Sequence, residues 1–312
     1  MGGIPIFLGF LFSISIWFKL EDFYELRYLA ASLILMFIIG LRDDLIPLRA
    51  RYKLFSQIIP TLMIIFLADI ELTSFYGLID TGTFPKLVSV SVTIFTIVVI
   101  TNSFNLIDGI DGLAGTAGVI TLSFFGGWFF FTGNYFLSYL IFAFVGAVIA
   151  FLFFNWAPSK IFMGDTGALL MGFLLSFVTI SFINANFALP DNDFFKFKSS
   201  ISTAVCVLIL PLFDTLRVFI LRVRRGESPF SADNNHIHHL LLRMGMSHAE
   251  ATLTLGALNI VFLGIAVLGN NLGDYILLPI IIALCLIINY GINFLLKKRE
   301  VLKAKTKKTA VQ

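Results

Sequence analysis

Residues 136–154 read FLSYLIFAFVGAVIAFLFF, nineteen positions without a charge or a proline. A helix needs about 20 apolar residues to cross a hydrocarbon core, whereas a barrel strand needs roughly ten that alternate apolar and polar. The stretch has the first pattern and not the second. Similar runs lie on either side of it, at 4–18, 28–41, 58–70, 86–101, 115–132, 166–184, 200–221, 253–269 and 275–296, ten in all. The chain of 312 residues is 58% hydrophobic and 13% charged, and its mean hydropathy is +0.93, so it lacks the charged shell of a water-soluble domain. Thirty-six Phe against nine Pro suit long apolar helices. The expected fold is all-α, a polytopic membrane protein of about ten transmembrane helices with functional loops on one side. Neither an internal repeat nor a low-complexity segment divides it, so residues 1–296 read as one membrane domain and 297–312 as a basic tail.

Cys206 and Cys285 lie inside apolar runs away from any CxxC, which makes them packing residues rather than a disulfide or a thiolate metal site. The net charge of +3 is small and its basic residues gather in a few loops and in KKREVLKAKTKK at 297–308, which argues for membrane topology and against nucleic-acid binding. No basic residues precede the first apolar run, so a cleavable leader is not expected. The opening GGIPIFLGF reads as the inside of a larger pattern, with a segment expected upstream.

Charge asymmetry sets the orientation. With residue 1 inside, the loops at 42–57, 102–114, 155–165 and 222–252 and the tail share one face and carry sixteen Lys and Arg, against five on the other side, with Arg217 left within a span. That face is therefore expected to be cytoplasmic.

All the unusual polar residues fall on the same face. In GLRDDLIPLRARYKLFSQ, Asp43 and Asp44 end a membrane helix, where adjacent carboxylates repel and are costly to desolvate unless a cation or proton neutralises them. Lys53 and Gln57 are spaced to share a helix face, and Arg42 and Arg49 offer simple charge pairing as the bland alternative. In TNSFNLIDGIDGLAG, one helical turn would bring Asp108 beside Asp111, and Gly109, Gly112 and Gly115 allow tight backbone next to a ligand. A Gly-rich re-entrant loop would leave Asn102, Asn105 and both carboxylates unexplained. In FNWAPSKIFMGDTGALLMGF, Asp165 sits at a helix start, suited to an N-cap or to a hard divalent cation such as Mg²⁺. The last loop holds all four histidines. His236, His238 and His239 in HIHH lack a Cys partner for zinc; beside Arg222, Arg224 and Arg225 they suit hydrogen bonds to phosphate oxygens, with a pH sensor as another reading.

Taken in order, Asp43-Asp44 with Lys53 and Gln57, NLIDGIDGLAG at 105–115, FMGDTG at 162–167 and DNNHIHHLLLRMGMS at 233–247 resemble the polyprenyl-phosphate N-acetylhexosamine-1-phosphate transferases. That family includes the phospho-MurNAc-pentapeptide translocase and the enzymes that start O-antigen, common-antigen and teichoic-acid linkage assembly. The resemblance covers nearly the whole chain and rests on four motifs together. It implies a reaction in which undecaprenyl phosphate attacks the β-phosphorus of a UDP-HexNAc and UMP leaves, with Mg²⁺ required and Mn²⁺ as a substitute. Two anions must approach each other, so the work is mostly charge management.

Residue by residue, the resemblance implies that Asp165 holds the Mg²⁺, with Asp108 as a further metal contact. Asp43 or Asp44 would handle the lipid phosphate, one as base or second metal contact. Asn105, Asp108, Asp111 and Asn155 would line the nucleotide and metal pocket. His236, His238 and His239 would meet the diphosphate or sugar, and Lys53 and Arg222 would hold phosphate. HIHHLLLRMGMS is closer to the GlcNAc-1-phosphate branch than to the MurNAc-pentapeptide branch, which tends to consecutive histidines, and the branch implies a further helix and basic loop ahead of MGG. A bacterial inner-membrane location with the site facing the cytoplasm, undecaprenyl phosphate and a UDP-HexNAc as substrates, the lipid bilayer as surroundings and a homodimer complete the expectation. The rival from another class, a transporter or lipid flippase, predicts charges near the membrane midplane and repeated halves.

Overall fold

The computed structural model describes residues 1–79, 82–228 and 235–309. Asp233 and Asn234 of the histidine motif and residues 310–312 of the tail lie outside them. The described residues form helices and no strand: α1 (Gly3–Trp17), α2 (Leu20–Leu45), α3 (Ala50–Ser56), α4 (Ile58–Leu67), α5 (Lys86–Leu106), α6 (Leu113–Phe131), α7 (Tyr135–Asn155), α8 (Gly164–Ala188), α9 (Ser200–Val207), α10 (Ile209–Arg224), α11 (Ile237–Arg243), α12 (His248–Leu268) and α13 (Asp274–Thr309). The chain is a multi-pass membrane protein. Each of the ten apolar runs falls on helix, but among the described residues seven helices are long and apolar enough to span, or eight when the bent pair α9–α10 is one span. The expected ten is therefore not reached. The first run becomes α1, only fifteen residues long and shorter than a bilayer needs.

Proline accounts for the breaks that apolarity alone does not reveal. Pro211 has no N–H to offer the Val207 carbonyl and its ring would collide with it, so the 200–221 run bends by 81° between α9 and α10. The Thr121 hydroxyl of α6 donates to Val207 O at 3.3 Å, giving the freed carbonyl a partner where water is absent. Pro60 stands in the same relation to Ser56 and separates α3 from α4.

α8 is apolar all round and enclosed, with every residue from 166 to 183 buried. Helices α1, α2, α5 and α6 pack on it. Without water to drive association, such contacts depend on close approach. A Cβ at Gly172 would come within 2.8 Å of Thr101 Cα, and one at Gly40 within 2.5 Å of Thr166 Cα. Outward-facing side chains such as Phe12, Phe95 and Phe153 are exposed, as lipid contact requires. The backbone N–H groups of Gly2 and Gly3 donate to the carbonyls of Phe162 and Met163, so the start of α1 lies beside the start of α8.

Candidate active site

The ends of α2, α5, α7 and α10 and the starts of α6, α8 and α12 meet at one end of the bundle, and the motif residues divide there into three linked groups. The first is a carboxylate cluster. Asp43, buried at the end of α2, lies 2.9 Å from Lys53 Nζ and accepts a 2.7 Å hydrogen bond from the Leu48 N–H. Lys53 also bonds to Asp165 and, at 3.1 Å, to Asn105 Oδ1, while Asn105 Nδ2 donates to Asp165 at 2.6 Å. One helical turn on, Gln57 and Asn102 form a reciprocal amide pair, so the stripe 53 and 57 lies along the stripe 102 and 105. Gln57 is fully buried in that pair.

Asp44 takes a different part from its neighbour. Its carboxylate accepts from the backbone N–H groups of Asp165 and Thr166, at 2.8 and 3.1 Å, and from the Thr166 hydroxyl. It thus caps the N-terminus of α8 from another helix and holds the turn that presents Asp165. Asp108 joins the same group. Its carboxyl is pushed up from 3.8 to about 7, first by burial and then by the charges of Asp165 and Asp44, against a Gly164 backbone hydrogen bond that lowers it. Two of these carboxylates, Asp43 and Asp165, share one ammonium, and Asp44 and Asp108 stand beside Asp165. Among the described residues no three His, Cys, Asp or Glu side chains already converge as a metal-binding group. The excess negative charge nevertheless suits a hard cation.

The second group contains Asp111, which the one-turn reading placed beside Asp108. Residues 107–112 form a turn rather than helix, and Gly112 adopts a left-handed φ of 76° that sends the chain into α6. Asp111 accordingly points elsewhere, accepting from the Ser159 N–H and hydroxyl at 3.2 and 2.8 Å and lying 3.3 Å from His248 Nδ1. Asn155 is buried beside it: its Oδ1 accepts from Gly112 N–H at 3.0 Å and its Nδ2 donates to Ile161 O at 2.8 Å. Both of its polar groups tie loops together. Ser159 and His248 carried no motif signal, though His248 was the one histidine outside HIHH.

The third group carries the histidines. His238 is buried with its ring against the Asp108–Gly109 turn, where a Cβ at Gly109 would lie 2.2 Å from His238 Nε2. Burial, then His239, pushes its imidazole down to about 3, so it is neutral. The His239 ring lies 4.2 Å from that of His238, tilted by 39°, and His236 lies parallel to His238 at 5.6 Å. His236 Nδ1 is 2.8 Å from Asp214 Oδ2. Arg222 is buried in the last turn of α10. Asp214 and Arg217 escaped the motif reading; an ionisable pair three apart inside the apolar run 200–221 was the available signal.

Residues 26–183, just over half the chain and the span that carries both carboxylate groups, match the family described as glycosyl transferase family 4. The chain belongs to glycosyl transferase family 4. Relatives extend the match past the histidine loop. The chain is 29% identical over 305 residues to an undecaprenyl-phosphate alpha-N-acetylglucosaminyl 1-phosphate transferase of Yersinia pestis, covering 94% of this chain and 80% of that protein. It is 29% identical over 265 residues to a probable undecaprenyl-phosphate N-acetylglucosaminyl 1-phosphate transferase of Bacillus subtilis (84% and 70%). It is 26% identical over 279 residues to the Escherichia coli K12 protein with the same name as that of Yersinia (85% and 71%). In this glycosyl transferase family 4 protein, the matched span holds the carboxylate cluster, in which Asp43 and Asp165 share Lys53 beside Asp44 and Asp108.

Proposed function

We propose that this glycosyl transferase family 4 protein transfers GlcNAc-1-phosphate from UDP-GlcNAc to undecaprenyl phosphate, releasing UMP and starting a lipid-linked cell-envelope glycan. The observation that carries the reading is the cluster at one end of a membrane bundle in which Asp43 and Asp165 share Lys53, Asp44 caps the turn that presents Asp165, and Asp108 lies close enough to feel the charges of Asp165 and Asp44. The names of the relatives support the same substrate pair. A phosphate oxygen of the lipid forms a bond to the β-phosphorus of the nucleotide sugar, the bond from that phosphorus to the UMP oxygen breaks, and charge moves onto UMP.

Asp165 and Asp108 would hold Mg²⁺, with Mn²⁺ as a substitute, and the ion would neutralise diphosphate charge when bound. Lys53, on a flexible stem between Asp43 and Asp165, offers its ammonium to an incoming phosphate. Asp44 keeps Asp165 in place through the helix cap, and Asp43 faces Lys53 at the membrane boundary where a lipid phosphate would arrive. His236, His239 and Arg222 supply donors to the nucleotide side. Neutral His238 packs the histidine helix onto the Asp108 turn. The excess of Lys and Arg on this face supports an inner-membrane enzyme whose site opens to the cytoplasm. Clustering at one interface, without repeated halves, weighs against a transporter or flippase.

The test is a panel of UDP-sugars incubated with purified protein, Mg²⁺ and undecaprenyl phosphate, read by UMP release. UDP-GlcNAc should give the fastest release. Preference for UDP-MurNAc-pentapeptide would move the chain to the other branch.

A further inference from the structure

Asp214 lies within α10, away from the carboxylate cluster, and is almost wholly buried. A lone carboxylate in that position would be costly to desolvate, so its partners must account for it. Oδ1 accepts from the Ile237 N–H at 2.8 Å and lies 3.4 Å from the Arg217 guanidinium; Oδ2 lies 2.8 Å from His236 Nδ1. Arg217, one turn further along the same helix, also donates to the Asn235 carbonyl. Two side chains of α10 thus grip three consecutive residues, 235 to 237, and fix where the histidine helix begins.

The chemistry of the contact goes further than anchoring. An ionised carboxylate only accepts, so the proton shared with Oδ2 belongs to His236 Nδ1. Nε2 is then the nitrogen left for other partners. Arg217 sets a positive charge 3.4 Å from Oδ1, a partner for the buried carboxylate on its own helix. His238, the ring parallel to His236, packs on the turn that carries Asp108. The orientation of His236 is therefore set with respect to the reaction centre.

We propose that Asp214 is a positioning residue, which holds the His236 proton on Nδ1 and aims Nε2 at the phosphates of the nucleotide sugar. The role rests on the transferase reading above. Asp214→Asn keeps an oxygen for the Ile237 N–H but presents an amide that can itself donate to the ring, which favours the other tautomer.

The experiment is a double-mutant cycle on the purified full chain in lipid nanodiscs, with UMP release and thermal unfolding measured for wild type, Asp214→Asn, His236→Ala and the double variant. Wild-type turnover tests the transferase reading by itself. Given that turnover, Asp214→Asn and His236→Ala should each lower kcat by about 10- to 100-fold and the double variant by no more than His236→Ala alone. Losses that multiply in the double variant would overturn the positioning role. Because the chain has only four histidines, ring-nitrogen NMR of ¹⁵N-His protein gives a second readout independent of turnover. A protonated Nδ1 on His236 is expected in wild type, and its loss in Asp214→Asn; an unprotonated Nδ1 in wild type would refute the proposal. Where Asp214→Asn does not fold, Asp214→Glu completes the same cycle.

Discussion

Lys53 Nζ stands 2.9 Å from Asp43 and bonds also to Asp165, so a single ammonium joins the end of α2 to the first turn of α8 across more than a hundred residues of chain. Removing it leaves two carboxylates facing each other beside a third. Lys53→Met should destabilise the metal-free protein by about 2–3 kcal/mol, less than for a fully enclosed pair because the lysine retains some solvent contact. Mg²⁺ should recover most of that loss. Thermal unfolding of both proteins with and without Mg²⁺ measures it, and an unchanged melting temperature in the metal-free variant would show that the bridge contributes nothing.

Asp108 makes the site sensitive to pH. Its folded-state value of about 7 stands above the ordinary 3.8, so the fold favours the protonated form. The stability this contributes is complete below about pH 4 and is lost as pH rises through about 7. Without divalent ions the melting temperature should fall over that interval, Mg²⁺ should stabilise more at the alkaline end, and Asp108→Asn should flatten both effects. A wild-type melting temperature that rises across the interval would contradict the assignment.

Asp44 couples the start of α8 to the position of Asp165. Both of its oxygens accept, one from the Asp165 N–H and the other from the Thr166 N–H and hydroxyl, so asparagine keeps one acceptor and sets an NH2 against the other donors, whereas alanine loses the cap, roughly 1 kcal/mol at such a position. Asp44→Asn should therefore lose part of the cap's stability and lower UMP release by letting Asp165 move, and Asp44→Ala should lose more of both. Equal stability of the two variants would mean that the cap on α8 carries little weight.

Gly40 tests the packing beneath the site. Its missing Cβ leaves room for the Thr166 backbone, which has no flexible end to move aside. Gly40→Ala should cost about 1–3 kcal/mol by overpacking and lower turnover through displacement of Asp43 and Asp44 from Asp165. Full activity and wild-type melting would show that α2 and α8 can separate without consequence.

Much of this arrangement is legible in the residues. Long uncharged runs specify membrane helices because lipid leaves the backbone no other partner, and polar residues at the ends of those runs point to one face. What apolarity does not encode is where a run breaks: Pro211 and Pro60 do, by withholding one N–H each. The expected pairing of Asp108 with Asp111 is not seen because spacing three apart means proximity only on a helix, and residues 107–112 are a turn in which Asp108 faces Asp165 and Asp44 while Asp111 faces Ser159 and His248. Neighbours on a helix point about 100° apart, so Asp43 and Asp44 are expected to do different jobs, but which job falls to each shows only once α8 arrives at Asp44. Asp214 was hidden for the opposite reason: its partners are on α11 and its own helix, and the motif that drew notice was the histidine stretch it holds.

The most direct measurement is UMP release by the purified chain supplied with UDP-GlcNAc, undecaprenyl phosphate and Mg²⁺, run beside Asp165→Asn and with the melting temperature of each recorded. The wild type should release UMP only when undecaprenyl phosphate is present, and Asp165→Asn should be slower by at least about 100-fold while still folded. Wild-type rates in Asp165→Asn would contradict a reaction centre built on the carboxylate cluster.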